Sequence, residues 1–105
     1  MQTVNDGTFH ADVRENLEPT VIYFSDDSWC EVCQAYTPIV QTMADRFDGS
    51  VRFLKANMDD IDFYAEELGI HTIPSLALFD GGMIISILKG QNPSHEIRLW
   101  IQENL

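Results

Sequence analysis

Thr20-Val21-Ile22-Tyr23-Phe24-Ser25-Asp26-Asp27-Ser28-Trp29-Cys30-Glu31-Val32-Cys33 joins three kinds of local sequence. Thr20 to Phe24 is apolar on both faces, as a central strand covered on both sides should be. Ser25 to Ser28 is a polar turn. Trp29-Cys30 then opens a long helix that runs to about Phe47. Its Ile39, Met43 and Phe47 are four apart, and Val40 and Ala44 broaden the apolar stripe. Both cysteines of the chain therefore fall where a strand hands over to a helix.

That placement suits redox chemistry. At a helix N-terminus, free N–H groups and the macrodipole favour a thiolate, so Cys30 reads as a nucleophile. Cys33 lies one turn later, close enough to resolve a mixed disulfide by an intramolecular step. Half of a zinc site has the same C-x-x-C spacing, but such a site needs about two more ligands. His10, His71 and His95 are scattered without ligand spacing, so no metal ligand is assigned. An inert buried pair is the further alternative. It is disfavoured because a helix start after a polar turn is expected to be exposed.

On the N-terminal side, Thr8 to Asn16 reads as a short helix with Phe9 and Val13 on one face, and Pro19 ends it. On the C-terminal side, Pro38 lies inside the long helix and should kink it. Gly49 stops that helix. Val51 to Ala56 is a second strand. An acidic helix from about Ile61 to Leu68 is closed by Gly69. Leu76 to Phe79 is a third strand, Asp80-Gly81-Gly82 a hairpin turn, and Met83 to Leu88 its antiparallel partner. After Gly90, Pro93-Ser94 starts a last helix with Ile97, Trp100 and Ile101 on one face, Trp100 being core. A parallel crossover followed by a hairpin predicts a mixed sheet with helices on both faces.

The chain has 105 residues, 45% of them hydrophobic, with 6 Lys and Arg against 17 Asp and Glu, a formal charge of −11. The length predicts one domain over residues 1–105. Two cysteines cannot form a disulfide scaffold, and a bond between Cys30 and Cys33 closes too small a loop to act as a staple. The acidic balance argues against nucleic acid or an anionic membrane as partner, since both require a basic footprint. Met1 to Gly7 lacks the basic and apolar regions of a signal peptide, and no apolar run approaches the roughly 20 residues of a membrane span. A monomer in the cytoplasm is the expectation.

Taken together these features resemble the thioredoxin family along almost the whole chain. Trp29-Cys30-Glu31-Val32-Cys33 is similar to the family's W-C-x-x-C, with Pro38 at its helix-kink spacing. Lys55, in Leu54-Lys55-Ala56-Asn57-Met58-Asp59, matches a strand with a buried lysine. Gly69-Ile70-His71-Thr72-Ile73-Pro74-Ser75 is similar to the loop that ends in a cis-proline. Phe79-Asp80-Gly81-Gly82 and Gly90 match the late hairpin and the glycine after it.

The resemblance implies an α/β thioredoxin fold with a central mixed sheet of four to five strands. It implies thiol–disulfide oxidoreductase activity, with Cys30 attacking and Cys33 resolving, and no cofactor beyond that redox-active pair. Pro74 would be cis and face Cys30. The Ile73 backbone would pair with an extended substrate, and Trp29, Ile73, Gly90 and His71 would form a shallow apolar rim. Partners would be protein disulfides and, as electron donor, a dithiol protein or flavin-dependent reductase.

Three departures from the family pattern concern the site. The buried aspartate usually found six residues before the first cysteine is replaced by Phe24, or by Tyr23 if the turn is one residue longer. Resolution by Cys33 would then rely on water, Tyr23, Asp26 or Asp27. The intervening pair is Glu31-Val32, so Asp26, Asp27 and Glu31 bring negative charge toward a thiol that must itself become negative. Gln34 stands where a basic residue is frequent. Two other readings use the same residues: a binding module of this fold with weak redox activity, and a metal or cluster carrier in which two subunits each give Cys30 and Cys33.

Overall fold

The sheet is built outward from the two apolar runs at its centre. A computed structural model describes all 105 residues. Strand β2 (Thr20–Ser25) is buried at every position, and it lies between β3 (Arg52–Asn57) and β4 (Ser75–Asp80). It pairs parallel with β3 and antiparallel with β4. Strand β5 (Met83–Lys89) forms the hairpin edge against β4. A two-residue β1 (Gln2–Thr3) adds a parallel strand on the far side of β3. The order β1-β3-β2-β4-β5 makes the expected mixed sheet, at five strands.

Two apolar layers sandwich this sheet. One holds Phe9, Val13, Ile22, Phe24, Leu54, Ile61 and Ala65. Here the N-terminal turn and helix α2 (Asp62–Leu68) cover the sheet. The other holds Val21, Tyr23, Tyr36, Val40, Met43, Ile97, Trp100 and Ile101. There α1 (Glu31–Arg46) and α3 (Ser94–Asn104) cover it. Ile22 and Phe24 face one layer and Val21 and Tyr23 the other, which is the two-residue alternation of a strand. Full burial of each such side chain contributes about 1.5–3 kcal/mol, so the centre of the sheet is its most strongly held part.

Several local expectations are refined. The N-terminal helix is a π-helical turn of five residues, His10–Arg14, shorter than the reading from Thr8 to Asn16. Arg14 ties that turn to the hairpin, donating to the Gly82 carbonyl at 3.0 Å. The buried face of α1 is Cys33, Tyr36, Val40 and Met43, while Ile39, Ala44 and Phe47 only flank it. Before α2 the chain makes a separate 3-10 turn, Met58–Asp60. Gly69 closes α2 in the left-handed conformation, at φ 75°. Trp100 is core, and its indole N–H reaches the Ser86 hydroxyl at 2.8 Å.

Candidate active site

Cys30 caps the N-terminus of α1, with extended backbone ahead of the first helical residue, Glu31. Its Sγ accepts the Cys33 backbone N–H at 3.1 Å. One of the helix's unpaired terminal donors is thereby aimed at sulfur, an arrangement that stabilises a thiolate when the bond is reduced. The two cysteines are joined by a disulfide, with Cα atoms 5.2 Å apart.

The expectation of an openly exposed pair is corrected. Cys30 is 8% exposed and Cys33 is fully buried. The neighbours Trp29, Glu31 and Val32 are the exposed residues. The reason is helical spacing: Cys33 lies on the face that carries Tyr36 and Val40 into the core. Of the two residues, only Cys30 keeps any exposure.

Beneath Cys33 lies a polar cluster assembled from four elements. The β2–β3 register sets Tyr23 beside Lys55. The Tyr23 hydroxyl lies 3.1 Å from the Cys33 carbonyl oxygen and 2.9 Å from the Thr37 hydroxyl. Thr37 Oγ1 is also 2.8 Å from the Cys33 carbonyl and 3.1 Å from each Asp27 carboxylate oxygen. Lys55 Nζ donates to Asp27 Oδ2 at 2.6 Å. Two hydroxyl protons thus serve three acceptors: the Asp27 carboxylate, the Cys33 carbonyl and the Thr37 oxygen. Burial, reinforced by the Asp27 charge, raises the Tyr23 hydroxyl above its ordinary pKa, against the opposing effect of its hydrogen bond with Thr37. Tyr23 therefore remains a neutral hydroxyl at physiological pH.

The three acids grouped by sequence separate in space. Asp27 enters the cluster under Cys33. Asp26 is buried in the turn instead, accepting the Ser28 N–H at 3.1 Å and the Ser28 hydroxyl at 2.5 Å. The Ser28 hydroxyl is the main cause that holds this carboxyl below the usual range. The Asp26 carbonyl accepts the Cys30 N–H at 3.0 Å, so Asp26 shapes the approach to the nucleophile. Glu31 stands exposed on the first turn of α1. Thr37 was not singled out from sequence. Its signal was present, since a residue four beyond Cys33 returns to the same helical face.

Ser75 opens β4 opposite Phe24, and the Ile73–Pro74 peptide just before it is cis, as the resemblance implied. The Pro74 carbonyl accepts the Gly90 N–H at 2.9 Å, and Gly90 has φ 81°. This bond joins the proline loop to the end of β5. No hydrogen bond of the turns and loops uses the Ile73 amide or carbonyl. Ile73 is half-buried: it packs on the Phe9 layer and also lines a cavity of about 390 Å³ with Trp29, Met58, His71 and Thr72. His71 is exposed, 3.6 Å from Glu66. A larger cavity of about 800 Å³ lies at the starts of β2 and β3, lined by Glu18, Pro19, Arg52 and Phe53, and touches none of these residues.

Comparison with known proteins agrees with this geometry. The profile of the thioredoxin family matches residues 1–103. Thioredoxin 1 of Nostoc sp. is 28% identical over 102 residues, covering 97% of this chain and 94% of the relative. The thioredoxin of Pyropia yezoensis is 32% identical over 90 residues, covering 86% and 83%. The thioredoxin of Rickettsia felis is 29% identical over 102 residues, covering 97% and 96%.

Proposed function

The chain belongs to the thioredoxin family and is a thiol–disulfide oxidoreductase, and from that premise we propose how its residues divide the work. The Cys30 thiolate attacks one sulfur of a protein disulfide. A Cys30–substrate disulfide forms, and the first substrate thiolate leaves and takes up a proton. Cys33 loses its proton and attacks Cys30 Sγ, which releases the second substrate thiolate. The substrate gains two electrons and two protons as two thiols, and Cys30–Cys33 returns to the disulfide. The redox group is this pair itself, and no resident cofactor enters the steps.

The observation that carries the reading is the pairing of an N-capping Cys30 with a fully buried Cys33. It supports attack by the first sulfur and intramolecular resolution by the second. Asp27, Thr37, Tyr23 and Lys55 act as positioning residues for the resolving step. The Asp27 carboxylate draws the Thr37 proton, which leaves the Tyr23 hydroxyl to donate to the Cys33 carbonyl. Trp29, Ile73, Pro74 and Gly90 form the cradle, where the free Ile73 backbone groups pair with an extended substrate.

Substrates are protein disulfides. Reducing equivalents come from a reductase that carries a dithiol or flavin. No helix is long and apolar enough to cross a membrane. A reducing compartment such as the cytoplasm would hold the pair as a dithiol, and the protein would work as a monomer. Insulin reduction with dithiothreitol tests the reading. Turnover above the dithiothreitol background, lost in Cys30→Ser, supports it, and background turnover by the wild type overturns it.

A further inference from the structure

The cavity beside the dithiol has an apolar lining and an acidic surround. Trp29, Met58 and Ile73 supply the apolar walls, and Trp29 is 68% exposed at the mouth. Asp59 and Asp60 follow Met58 directly and are both exposed. Glu31 is exposed directly after Cys30. Glu66 stands 3.6 Å from His71, another wall residue, so that pair adds no positive charge.

Cations are scarce here. Of the six Lys and Arg residues, Lys55 is paired to Asp27 and Arg14 to Glu67. Arg46 and Arg52 belong to the far end of the sheet, at the end of α1 and the start of β3. Arg98 lies within α3. Lys89, next to Gly90, is the exposed basic side chain nearest in sequence to the residues of the cradle. Three exposed carboxylates, Asp59, Asp60 and Glu31, thus lie within two residues of the lining residues Met58 and Trp29, within a chain of charge −11.

On the oxidoreductase reading above, we infer that this cavity selects disulfide-bearing segments that pair an apolar side chain with a flanking lysine or arginine. The apolar side chain fills the space between Trp29, Met58 and Ile73. The flanking cation lies over Asp59, Asp60 and Glu31, where complementary charge accelerates encounter and orients the segment. Acidic segments are repelled by the same groups. Trp29 adds an exposed indole face, which attracts a guanidinium as well as an apolar chain.

The test uses the full chain with dithiothreitol and three matched disulfide peptides. They share one apolar residue and differ only in flanks of Arg, Gln or Glu. Each catalysed kcat/KM is divided by that peptide's own rate with dithiothreitol alone, which removes intrinsic reactivity. The order expected is Arg, then Gln, then Glu, with about a tenfold span at about 10 mM salt. The span should shrink toward unity at about 1 M salt, where the screening length falls to about 3 Å. Asp59→Asn with Asp60→Asn should narrow it severalfold at low salt. Equal rates, a preference for Glu, or a span indifferent to salt and to the double variant overturns the inference while leaving the oxidoreductase reading intact. Failure to turn over any of the three overturns that reading itself.

Discussion

The Lys55 ammonium lies 2.6 Å from the Asp27 carboxylate, although 28 residues separate the two in sequence. Lys55 comes from the strand beside Tyr23, and Asp27 from the turn that leads to the dithiol. Their pairing places a carboxylate under Cys33 without any acid on the central strand. Both side chains are about one-third exposed, so the pair's worth to stability is that of a partly screened ion pair.

Asp27→Asn should therefore slow the resolving step more than the first attack. A loss of about tenfold in resolution matches removal of a charge-assisted hydrogen bond worth about 1.5 kcal/mol. Stopped-flow measurement of mixed-disulfide decay separates the two steps. Thr37→Val should give a similar but smaller loss, and Thr37→Ser should restore most of it. Equal slowing of both steps by Asp27→Asn would contradict the assignment.

Glu31→Gln should make Cys30 more reactive. Glu31 places negative charge one residue from the nucleophile, which opposes the thiolate that the helix terminus favours. An exposed charge is worth less than about 1 kcal/mol, so alkylation near neutral pH should rise about two- to fivefold. An unchanged or slower rate would remove Glu31 from the tuning of Cys30.

Acid stability should depend on Asp26. Its carboxyl is held below the ordinary value, first by the Ser28 hydroxyl, so the folded state favours the ionised form. A depressed folded pKa contributes stability at pH above the unfolded value, near 3.8, and loses it as pH falls through the folded value. The difference in denaturation midpoint between wild type and Asp26→Asn should thus be greatest at neutral pH and shrink as pH falls below about 3.8. A difference that stays constant over that range would show that Asp26 acts through packing alone.

The hairpin glycines should not be equivalent. Gly81 and Gly82 have φ 60° and 81°, but only Gly82 is crowded, since a Cβ there would collide with the Arg14 carbonyl oxygen. Gly81→Ala should cost about 1–2 kcal/mol for its left-handed backbone. Gly82→Ala should cost clearly more and loosen the N-terminal turn, as urea midpoints would register.

The main elements were legible because their hydrophobic periods are strong. Residues 20–24 could only be a doubly covered strand, and Ile97, Trp100 and Ile101 mark the buried stripe of α3. Gln2–Thr3 gave no signal because a two-residue strand has no period, and its pairing with Leu54 and Lys55 is tertiary. The π-helical turn was over-extended because Phe9 and Val13 fit an ordinary helix as well. At the site, the C-x-x-C and its strand–helix junction were readable from spacing alone. The cis peptide at Pro74 was reached only through family resemblance. The partners of Asp27 were hidden, because turn geometry decides where a turn carboxylate points. The burial of Cys33 follows from its spacing to Tyr36 and Val40, which continue the same helical face.

Trapping of the mixed disulfide tests the division of labour between the cysteines most directly. Cys33→Ser should accumulate a covalent complex with insulin through Cys30, visible by mass spectrometry and released by dithiothreitol. Cys30→Ser should form none, because Cys33 is fully buried. A covalent complex of Cys30→Ser through Cys33, or the absence of any complex with Cys33→Ser, would contradict the account.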